Sequence, residues 1–530
     1  MNYKFVVYSI GKLLQVLALV LFVPATIAVI DIWPGTFFEI LYNRSASGFF
    51  LSILISMLIG TVLSQVKFGE LKGNLVREGF SIVTFGWIIL TLFGAIPLFI
   101  YSHEYSTVDI FSRYTNAFFE IMSGFTTTGS TIMTDIESLP RSILFWRSLT
   151  HWLGGMGIVT LALSIFPAFG VSAYQMFRGE VPGPTAERLR PRLNQTAIIL
   201  WGVYALLTLF EAILLHFGGM TIFDAICHAF GTMATGGFST KNSSVAAYQS
   251  AYIDWVIIVF MFLAGMNFLL HYQIIFHRNF KVLKEDHEFR FYLTVVIGAI
   301  IVGVIVLSSF GLGQRSDIEN SFRHNKLSSE QVDNLIATEN AKISTITSRV
   351  RYMAFQVISI ITTTGFCTAD YDVWPNILRT MLVILMFFGG SAGSTGGGIK
   401  MVRIMVLLKT GWREVKTMVQ PRLISPVKIA EKALEDKQVA NISGFFILFI
   451  LLYGIFTLLM SLILSDFTTA LTSVSATICN IGPGLSGVGA TENYNWIPNS
   501  GKWILSLAML MGRLEIYTVI IALLPFTLKK

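Results

Sequence analysis

Residues 117–130 read AFFEIMSGFTTTGS, an apolar segment that ends in three threonines, a glycine and a serine. Similar runs recur, and the four are Thr126-Thr127-Thr128-Gly129-Ser130, Ala234-Thr235-Gly236-Gly237-Phe238, Thr362-Thr363-Thr364-Gly365-Phe366 and Asn480-Ile481-Gly482-Pro483-Gly484. Their central glycines, at 129, 236, 365 and 482, follow one another at intervals of 107, 129 and 117 residues. The chain therefore contains a fourfold internal repeat of one unit.

The composition indicates a polytopic membrane protein. Of the 530 residues 54% are hydrophobic and 13% are charged, whereas about 25% of a soluble domain is charged. The first apolar segment could be a signal peptide, but its length and Lys12 favour a retained helix. Segments long enough to span about 30 Å occur at 6–30, 49–66, 80–101, 143–166, 197–217, 252–275, 291–312, 377–408, 442–464 and 503–524.

The distribution of basic residues predicts the orientation. With ten spans and an inner N-terminus, the inner loops hold 24 of the 38 lysines and arginines. Short loops rich in these residues lie in the cytoplasm, so we expect both termini on the cytoplasmic side of the membrane. The three cysteines, at 227, 367 and 479, lack the spacing of a metal site or a disulfide framework and are interpreted as packing residues.

A segment of 12–16 residues, too short to cross the bilayer, precedes each run and is predicted to be a re-entrant half-helix. Nine residues before the central glycines stand Glu120, Cys227, Gln356 and Ser473. The predicted fold is therefore all-α, with four membrane–pore-loop–membrane repeats around a pseudo-fourfold pore and two additional N-terminal helices. The units are 1–66, then repeats at 67–190, 191–284, 285–430 and 431–530.

Four such loops around one axis would present rings of carbonyl oxygens to a cation. Irregular backbone at membrane depth must be buried or line a water-filled cavity, and the C-terminal ends of half-helices favour positive charge. Close helix packing by small residues is the alternative, but it does not explain four matched positions. The predicted filter residues are Thr127, Thr128, Gly129, Ala234, Thr235, Gly236, Thr363, Thr364, Gly365, Asn480, Ile481 and Gly482.

A glycine-rich stretch interrupts the long apolar segment 377–408. A phosphate-binding loop is excluded, because the spacing to Lys400 is wrong and no Ser or Thr follows it. Six glycines in ten residues predict a broken helix with an irregular loop at membrane depth, and Lys400 and Arg403 mark its inner end. The loop is Gly389, Gly390, Ser391, Ala392, Gly393, Ser394, Thr395, Gly396, Gly397 and Gly398.

Arg513 lies inside the last apolar segment, where a cation needs a partner or an aqueous cavity. One interpretation is a salt bridge with Glu515 or another acid. The favoured one is an electrostatic barrier that faces the path and donates hydrogen bonds to the 389–398 carbonyls. Four other polar residues are interpreted as satisfied packing groups rather than ion ligands, namely Glu120, His151, Glu211 and His228.

These features together resemble the Trk/Ktr/HKT superfamily of potassium uptake proteins, over 67–530 and in order. The resemblance is carried by the four runs, His151–Gly157 (HWLGGMG), the 389–400 stretch and Gly512-Arg513-Leu514-Glu515. With its two extra N-terminal helices, the chain resembles the TrkH/TrkG branch rather than the shorter KtrB branch. Asn480-Ile481-Gly482 departs from Thr-x-Gly, so the symmetry of the filter is expected to be approximate.

The resemblance implies a homodimer with one pore per subunit and a cytoplasmic TrkA-type subunit that binds nucleotides. It implies that K+ is coordinated at the filter residues, that 389–398 with Lys400 is the gate and Arg513 its partner, and that no organic cofactor or nucleic acid is bound by this chain. Relatives with serine at the first position tend to pass sodium, so four glycines favour potassium.

Three classes of function remain to be compared. A gated passive potassium pathway is favoured; an ion-coupled transporter would use a two-part repeat and intramembrane carboxylates, and no convergent catalytic set indicates a membrane enzyme. The polar insert 313–351 is either an ordered outer cap or a flexible loop. The basic segment 410–438 is either a solvated connector or a docking surface.

Overall fold

The protein is a bundle of helices with the four runs at its centre. The structure, a computed structural model, describes residues 2–523 apart from 37–38, 40–41, 70–75, 103–108, 158–192, 323–327, 423–424 and 430–431. The later part of the predicted span 143–166, the end of the first predicted repeat near residue 190, and Lys529 and Lys530 lie outside this part.

The two N-terminal helices pack against each other through glycines. They are α1 (Tyr3–Ile30) and α2 (Arg44–Leu63). A Cβ atom on Gly11 would lie 2.8 Å from the Gly60 carbonyl oxygen, so the two backbones touch at this point. Leu14 and Leu17 of α1 are buried in the bundle. This packing agrees with the prediction that the first apolar segment is a retained helix.

Each repeat has a first span, a half-helix and a second span. The first repeat contains α3 (Val76–Gly94), α4 (Ile96–Tyr101), α5 (Ile110–Phe125) and α6 (Arg141–Gly155). The second contains α7 (Leu193–Phe217), α8 (Ile222–Met233), α9 (Ala251–Ala264), α10 (Phe268–His277) and α11 (Lys281–Glu285). The half-helices α5 and α8 have 16 and 12 residues, about 24 and 18 Å at 1.5 Å per residue, which is too short to cross a bilayer.

The other two repeats follow the same order. The third contains α12 (His287–Phe310), α13 (Arg315–Ser321), α14 (Ser329–Lys342), α15 (Ile346–Ile361), α16 (Asn376–Met386) and α17 (Met401–Val419). The fourth contains α18 (Asp436–Ser461), α19 (Phe467–Ile478), α20 (Asn499–Arg513) and α21 (Ile516–Leu523). Before α18, strands β1 (Lys428–Ile429) and β2 (Lys432–Ala433) pair as a short antiparallel hairpin.

Six described helices are long and apolar enough to cross a membrane, or eight spans if each of two bent pairs is counted as one. The segments 252–275 and 503–524, predicted as spans, each consist of such a bent pair. α9 and α10 meet at 103°, and α20 and α21 at 114°. Asn267 caps the start of α10 by accepting from the Leu269 N–H, and Glu515, with φ of 57°, marks the second bend.

The described part of the insert 313–351 is helical and packed, as an ordered cap requires. Ile318 of α13 and Val332 of α14 are buried. The Ser486 hydroxyl donates to the carbonyl of Ser321 at 3.0 Å, and Lys342 Nζ donates to that of Thr368 at 3.1 Å. The cap is thereby attached to the residues that follow the third and fourth runs.

Candidate functional site: a ring of four backbone runs

All four half-helices begin and end in the same way. At each N-terminus a side-chain oxygen of the capping residue accepts a hydrogen bond from a backbone N–H of the first turn. The capping residues are Asp109, Thr221, Thr345 and Asp466. Each C-terminus is followed by a residue with left-handed backbone: Thr127 (φ 52°), Thr235 (54°), Thr363 (59°) and Asn480 (57°). The half-helices are therefore fixed at both ends, and their C-terminal ends point toward the runs.

The next N–H in each run returns to the helix in a Schellman motif. Thr128 donates to the Ser123 carbonyl at 2.9 Å. The equivalent 2.8 Å bonds are Gly236 to Gly231, Thr364 to Ser359 and Ile481 to Ala476. The following residue again has positive φ, and in all four runs it is a glycine: Gly129 (84°), Gly237 (80°), Gly365 (81°) and Gly482 (101°).

This register corrects the second run. Gly237, not Gly236, is equivalent to the other three glycines, so the structural counterparts of Thr127, Thr128 and Gly129 are Thr235, Gly236 and Gly237. Ala234, included among the predicted filter residues, is instead the cap residue that ends α8. With two adjacent glycines, the sequence does not reveal which one adopts the positive φ that side chains disfavour.

The four runs form a closed ring in chain order. A Cβ on Gly129 would overlap the Gly236 carbonyl oxygen. In the same way Gly237 lies against the carbonyl of Thr364, Gly365 against that of Ile481, and Gly482 against that of Thr128. Each run thus contacts the next, and the fourth contacts the first. The ring encloses one axis, as a pseudo-fourfold arrangement requires.

The same four glycines line one cavity of about 70 Å³ on one face of the ring. Its other lining residues come from the segments that leave the runs and from α6. They include Ser130, Thr131, Arg147, Phe238, Lys241, Cys367, Pro483, Glu492 and Tyr494.

A polar side chain holds the outgoing segment against each of the first three half-helices. In the corrected register the residues nine positions before the glycine are Glu120, His228, Gln356 and Ser473. Glu120 accepts from the Ile132 N–H at 2.8 Å, and His228 Nε2 lies 2.9 Å from the Ser239 hydroxyl.

We call these polar contacts between a half-helix and its outgoing segment braces. Those of the third and fourth repeats differ slightly from the first two. With its oxygen toward the backbone, the Gln356 amide accepts from the Thr368 N–H at 2.9 Å. In the fourth repeat Thr472 replaces Ser473 in this role and accepts from the Leu485 N–H at 3.0 Å. Cys227 has no part in the series, although the uncorrected alignment placed it there.

The brace of the first repeat is also a buried ion pair. Arg147 Nε donates to Glu120 at 2.8 Å, with both side chains at most 1% exposed. Arg147 also donates to the Ser239 carbonyl of the second repeat at 3.3 Å. Its guanidinium lies 4.3 Å from the centre of the Phe238 ring. Arg147 therefore links the segments that follow the first two runs. Removing either partner of the buried pair would leave an uncompensated charge, which is costly.

Two buried carboxylates connect the third and fourth repeats on the cavity face. Asp372 accepts from the Ser486 N–H at 3.1 Å, and Asp370 accepts from the Thr491 hydroxyl at 3.1 Å. Burial raises the pKa of Asp372 well above its usual range, and the neighbouring Asp370 raises that pKa further. The pKa of Asp370 is also raised by burial.

One of the four residues interpreted as satisfied packing groups, Glu211, differs from that prediction, whereas the His151 Nδ1 accepts from the Phe238 N–H at 3.4 Å. Glu120 and His228 are hydrogen-bonded as described. Glu211 is fully buried, and neither carboxylate oxygen has a hydrogen bond of standard geometry among the described residues. His151 stacks on Phe238 at 4.1 Å between ring centres, and within the same described part its Nε2 has no such bond.

The loop 389–398 lies on the other face of the ring, against the ends of the half-helices. The Gly397 N–H donates to the Thr363 hydroxyl at 2.7 Å, and the Thr395 hydroxyl donates to the Met233 carbonyl at 3.0 Å. A Cβ on Gly397 would lie 2.6 Å from the carbonyl oxygen of Cys479. The loop can approach the ring this closely because glycine has no side chain.

The structure brings Arg513 to this loop and separates it from Glu515. Arg513 donates to the carbonyl of Thr395 at 2.7 Å and to those of Gly154 and Gly155 at the end of α6. The alternative interpretation, an Arg513–Glu515 salt bridge, is wrong. Glu515 instead accepts from Arg403 at 2.8 Å. One guanidinium therefore links the loop to two spans.

Two further side chains hold the ends of the loop. Lys400 Nζ turns back and donates to the Gly396 carbonyl at 2.6 Å. Glu288, at the start of α12, accepts from the N–H groups of Ala392 at 2.7 Å and Val402 at 3.0 Å. Sequence reasoning missed Glu288; the only signal was an acidic residue at the polar end of an apolar span.

Comparisons with known proteins agree with this architecture. The family described as "TrkH: Cation transport protein" matches residues 45–526. The chain is 37% identical over 498 residues to the Trk system potassium uptake protein TrkH of Salmonella typhimurium, covering 93% of this chain and 95% of that protein. It is 33% identical over 447 residues to the Trk system potassium uptake protein TrkG of Escherichia coli K12, covering 84% of each.

A solved structure also matches over nearly the whole chain. The crystal structure of the potassium transporter TrkH from Vibrio parahaemolyticus is similar with a TM-score of 0.79 and 30% identity, over 99% of both chains. The resemblance inferred from the runs and the predicted all-α polytopic fold are both confirmed.

Proposed function

Because the chain belongs to the TrkH family of cation transport proteins, we propose that it takes up potassium ions along the axis of the ring. Members of this family are transporters and not enzymes. The relatives' names supply potassium as the ion. The observation that carries the proposal is the ring itself, in which Gly482 of the last repeat meets the Thr128 carbonyl of the first. Rings of backbone carbonyls can replace the hydration shell of a potassium ion.

The filter in this proposal comprises three residues of each run. Relative to the sequence prediction, Gly237 is added and Ala234 is removed. No resident cofactor is needed, since the oxygens that contact the ion belong to the backbone and K+ is the cargo. The two positive-φ positions in each run reverse the chain direction at the end of a half-helix, where its dipole favours a cation.

The cavity lined by the four glycines is proposed to be the entrance and to face outward, and the loop 389–398 is proposed to face the cytoplasm. Support comes from α17, which follows the loop and carries Lys409, Arg413 and Lys416. Short segments rich in basic residues lie on the cytoplasmic side. The protein is accordingly placed in the inner membrane of a bacterium with both termini cytoplasmic, and uptake runs from the cavity through the ring and past the loop.

The loop 389–398, with Lys400 and Arg513, is proposed to be the gate. Its support is the set of bonds that hold it under the ring, through Thr363, Met233 and the Arg513 guanidinium. Opening requires Arg513 to leave its carbonyls, because the loop and α6 share that side chain. The family resemblance adds a homodimer and a nucleotide-binding, TrkA-type subunit as partners that would act on this gate.

The filter is tested by replacing Gly129, where a side chain would meet the Gly236 carbonyl. In liposomes containing the purified protein, we expect Gly129→Ser to raise the ratio of sodium to rubidium flux about tenfold, which corresponds to ~1.4 kcal/mol. The matched control is Gly298→Ser, since a Cβ at Gly298 meets no atom within 4 Å. An unchanged ratio in Gly129→Ser would remove this glycine from the filter.

The same liposomes distinguish passive conduction from ion coupling. Rubidium uptake by the wild-type protein should follow the membrane potential and should not change when a proton gradient of either sign is imposed. Uptake against the potassium potential, driven by protons or sodium, would contradict the passive pathway.

A further inference from the structure

The carbonyl of Gly482 is held by two hydroxyl groups from different repeats. The Tyr494 hydroxyl donates to it at 2.7 Å, and the Ser130 hydroxyl donates at 3.1 Å. Both donors are buried, since Tyr494 is 2% exposed and Ser130 is 1% exposed. Two donors from different repeats therefore hold this carbonyl in position.

The other three glycines of the ring are not held in this way. Within the described part of the chain no hydroxyl or N–H group donates to the carbonyls of Gly129 and Gly237. Gly365 accepts only from the Cys367 thiol at 3.6 Å, and a thiol is a weak donor. The backbone follows the same division, because φ is 80–84° at these three glycines and 101° at Gly482.

Additional contacts fix the tyrosine itself. Its N–H donates to the Thr131 carbonyl at 2.8 Å, and its ring lies 5.6 Å from that of Phe119 at the ring centres. Backbone, ring and hydroxyl are thus all anchored to the first and fourth repeats. This tether, formed by Tyr494 and Ser130, joins the first and fourth repeats, whose runs are neighbours in the ring.

We propose that Tyr494 and Ser130 determine ion selectivity by fixing the Gly482 carbonyl, so that this level of the filter has three adjustable oxygens and one fixed oxygen. The proposal rests on the assignment of the ring as the filter. A sodium ion is smaller than a potassium ion, so its coordinating oxygens must move inward to replace its hydration shell. A carbonyl held from behind by two donors resists that movement, and sodium is disfavoured.

The test removes one donor at a time. Tyr494→Phe keeps the ring and its packing on Phe119 and loses only the hydroxyl; Ser130→Ala loses the other donor. We expect each variant to raise the sodium-to-rubidium flux ratio in liposomes about fivefold, equivalent to the ~1 kcal/mol of one neutral hydrogen bond. The matched control is Tyr114→Phe, whose hydroxyl donates to the Leu92 carbonyl at 2.9 Å, outside the ring.

Gly129→Ser is measured in the same preparation, which separates this inference from the filter assignment. If Gly129→Ser raises the ratio while both Tyr494→Phe and Ser130→Ala match the wild type, the tether is wrong and the filter stands. If none of the three changes the ratio, both fail. A rise of equal size in Tyr114→Phe would also overturn the proposal, because the effect would then not depend on Gly482.

Discussion

The ring and the loop 389–398 are in contact, but they differ in symmetry. The ring consists of four similar runs, whereas the loop occurs once. Each run presents the same backbone to its neighbour, which suits coordination of a spherical ion. The loop has no symmetry-related copy. It is attached through separate side chains, among them Thr395, Arg513 and Glu288. An element held in this way can move while the ring stays intact, so the proposed function assigns selection and gating to different parts of the molecule.

The second spans show how the loop arises. In the second repeat the break between α9 and α10 takes up residues 265–267, and in the fourth repeat α20 and α21 are separated by residues 514–515. In the third repeat the corresponding break runs from 387 to 400. The loop is therefore an enlarged version of a bend that other repeats also have. Because this break is longer, its backbone reaches the ends of the half-helices on the face of the ring opposite the cavity.

Of the proposed substitutions, Arg513→Ala should have the largest effect, and it should act on the loop rather than on the ring. Each of its charge-assisted bonds is worth about 1.5–3 kcal/mol, and all three hold the loop or its neighbour α6. We expect basal rubidium flux to rise at least about tenfold, equivalent to ~1.4 kcal/mol. Arg513→Lys keeps the charge but not the fork of donors, so its flux should be intermediate. Reduced flux from an Arg513→Ala protein of wild-type thermal stability would refute the gate.

Glu288→Gln should have a smaller effect on the same measurement. The carboxylate accepts two backbone N–H groups, that of Ala392 within the loop and that of Val402 at the start of α17. A neutral amide oxygen accepts them more weakly. We expect about a threefold rise in basal rubidium flux, equivalent to ~0.7 kcal/mol, with an unchanged sodium-to-rubidium ratio. Glu285→Gln, at an exposed acid of the preceding helix α11, is the control. A changed ratio would mean that Glu288 acts on the ring.

Asn480→Thr sharpens the comparison within the ring, because it makes the fourth run more like the first. Asn tolerates left-handed backbone better than the β-branched Thr does. The Asn480 amide also donates to the Thr128 hydroxyl at 2.9 Å and to the Met509 carbonyl at 3.0 Å. We expect about a twofold rise in the sodium-to-rubidium ratio, equivalent to ~0.4 kcal/mol, with basal rubidium flux little changed. The exposed Asn495→Thr should match the wild type, and equal ratios in both variants would exclude a role for this asparagine.

Much of the site could be predicted from the sequence because the signal was local. A half-helix too short to span, followed by Thr and Gly, predicts an exposed backbone run wherever it occurs. The departure at Asn480 is also explained locally, since this position has left-handed backbone in every run. Among the four residues at this position, Asn480 tolerates the left-handed conformation better than the three threonines do.

The remaining features depend on contacts that a single stretch does not encode. Hydropathy continues through Gly265 and Leu514, so the bends at these positions are invisible to it. Arg513 and Glu515 are close in sequence, but the 114° bend sends their side chains to different partners. The choice between Gly236 and Gly237 was settled by the neighbouring run, whose Thr364 carbonyl lies against Gly237.

The closure of the ring by its last member has a consequence for biosynthesis. The Ser130 hydroxyl and the Gly482 carbonyl are 352 positions apart in the chain, and contacts of such long sequence separation form late. Three runs can be inserted into the membrane while the fourth is still being translated. A chain that ends before residue 482 lacks the contact between Gly482 and the Thr128 carbonyl, so the ring closes only once the fourth run has been made.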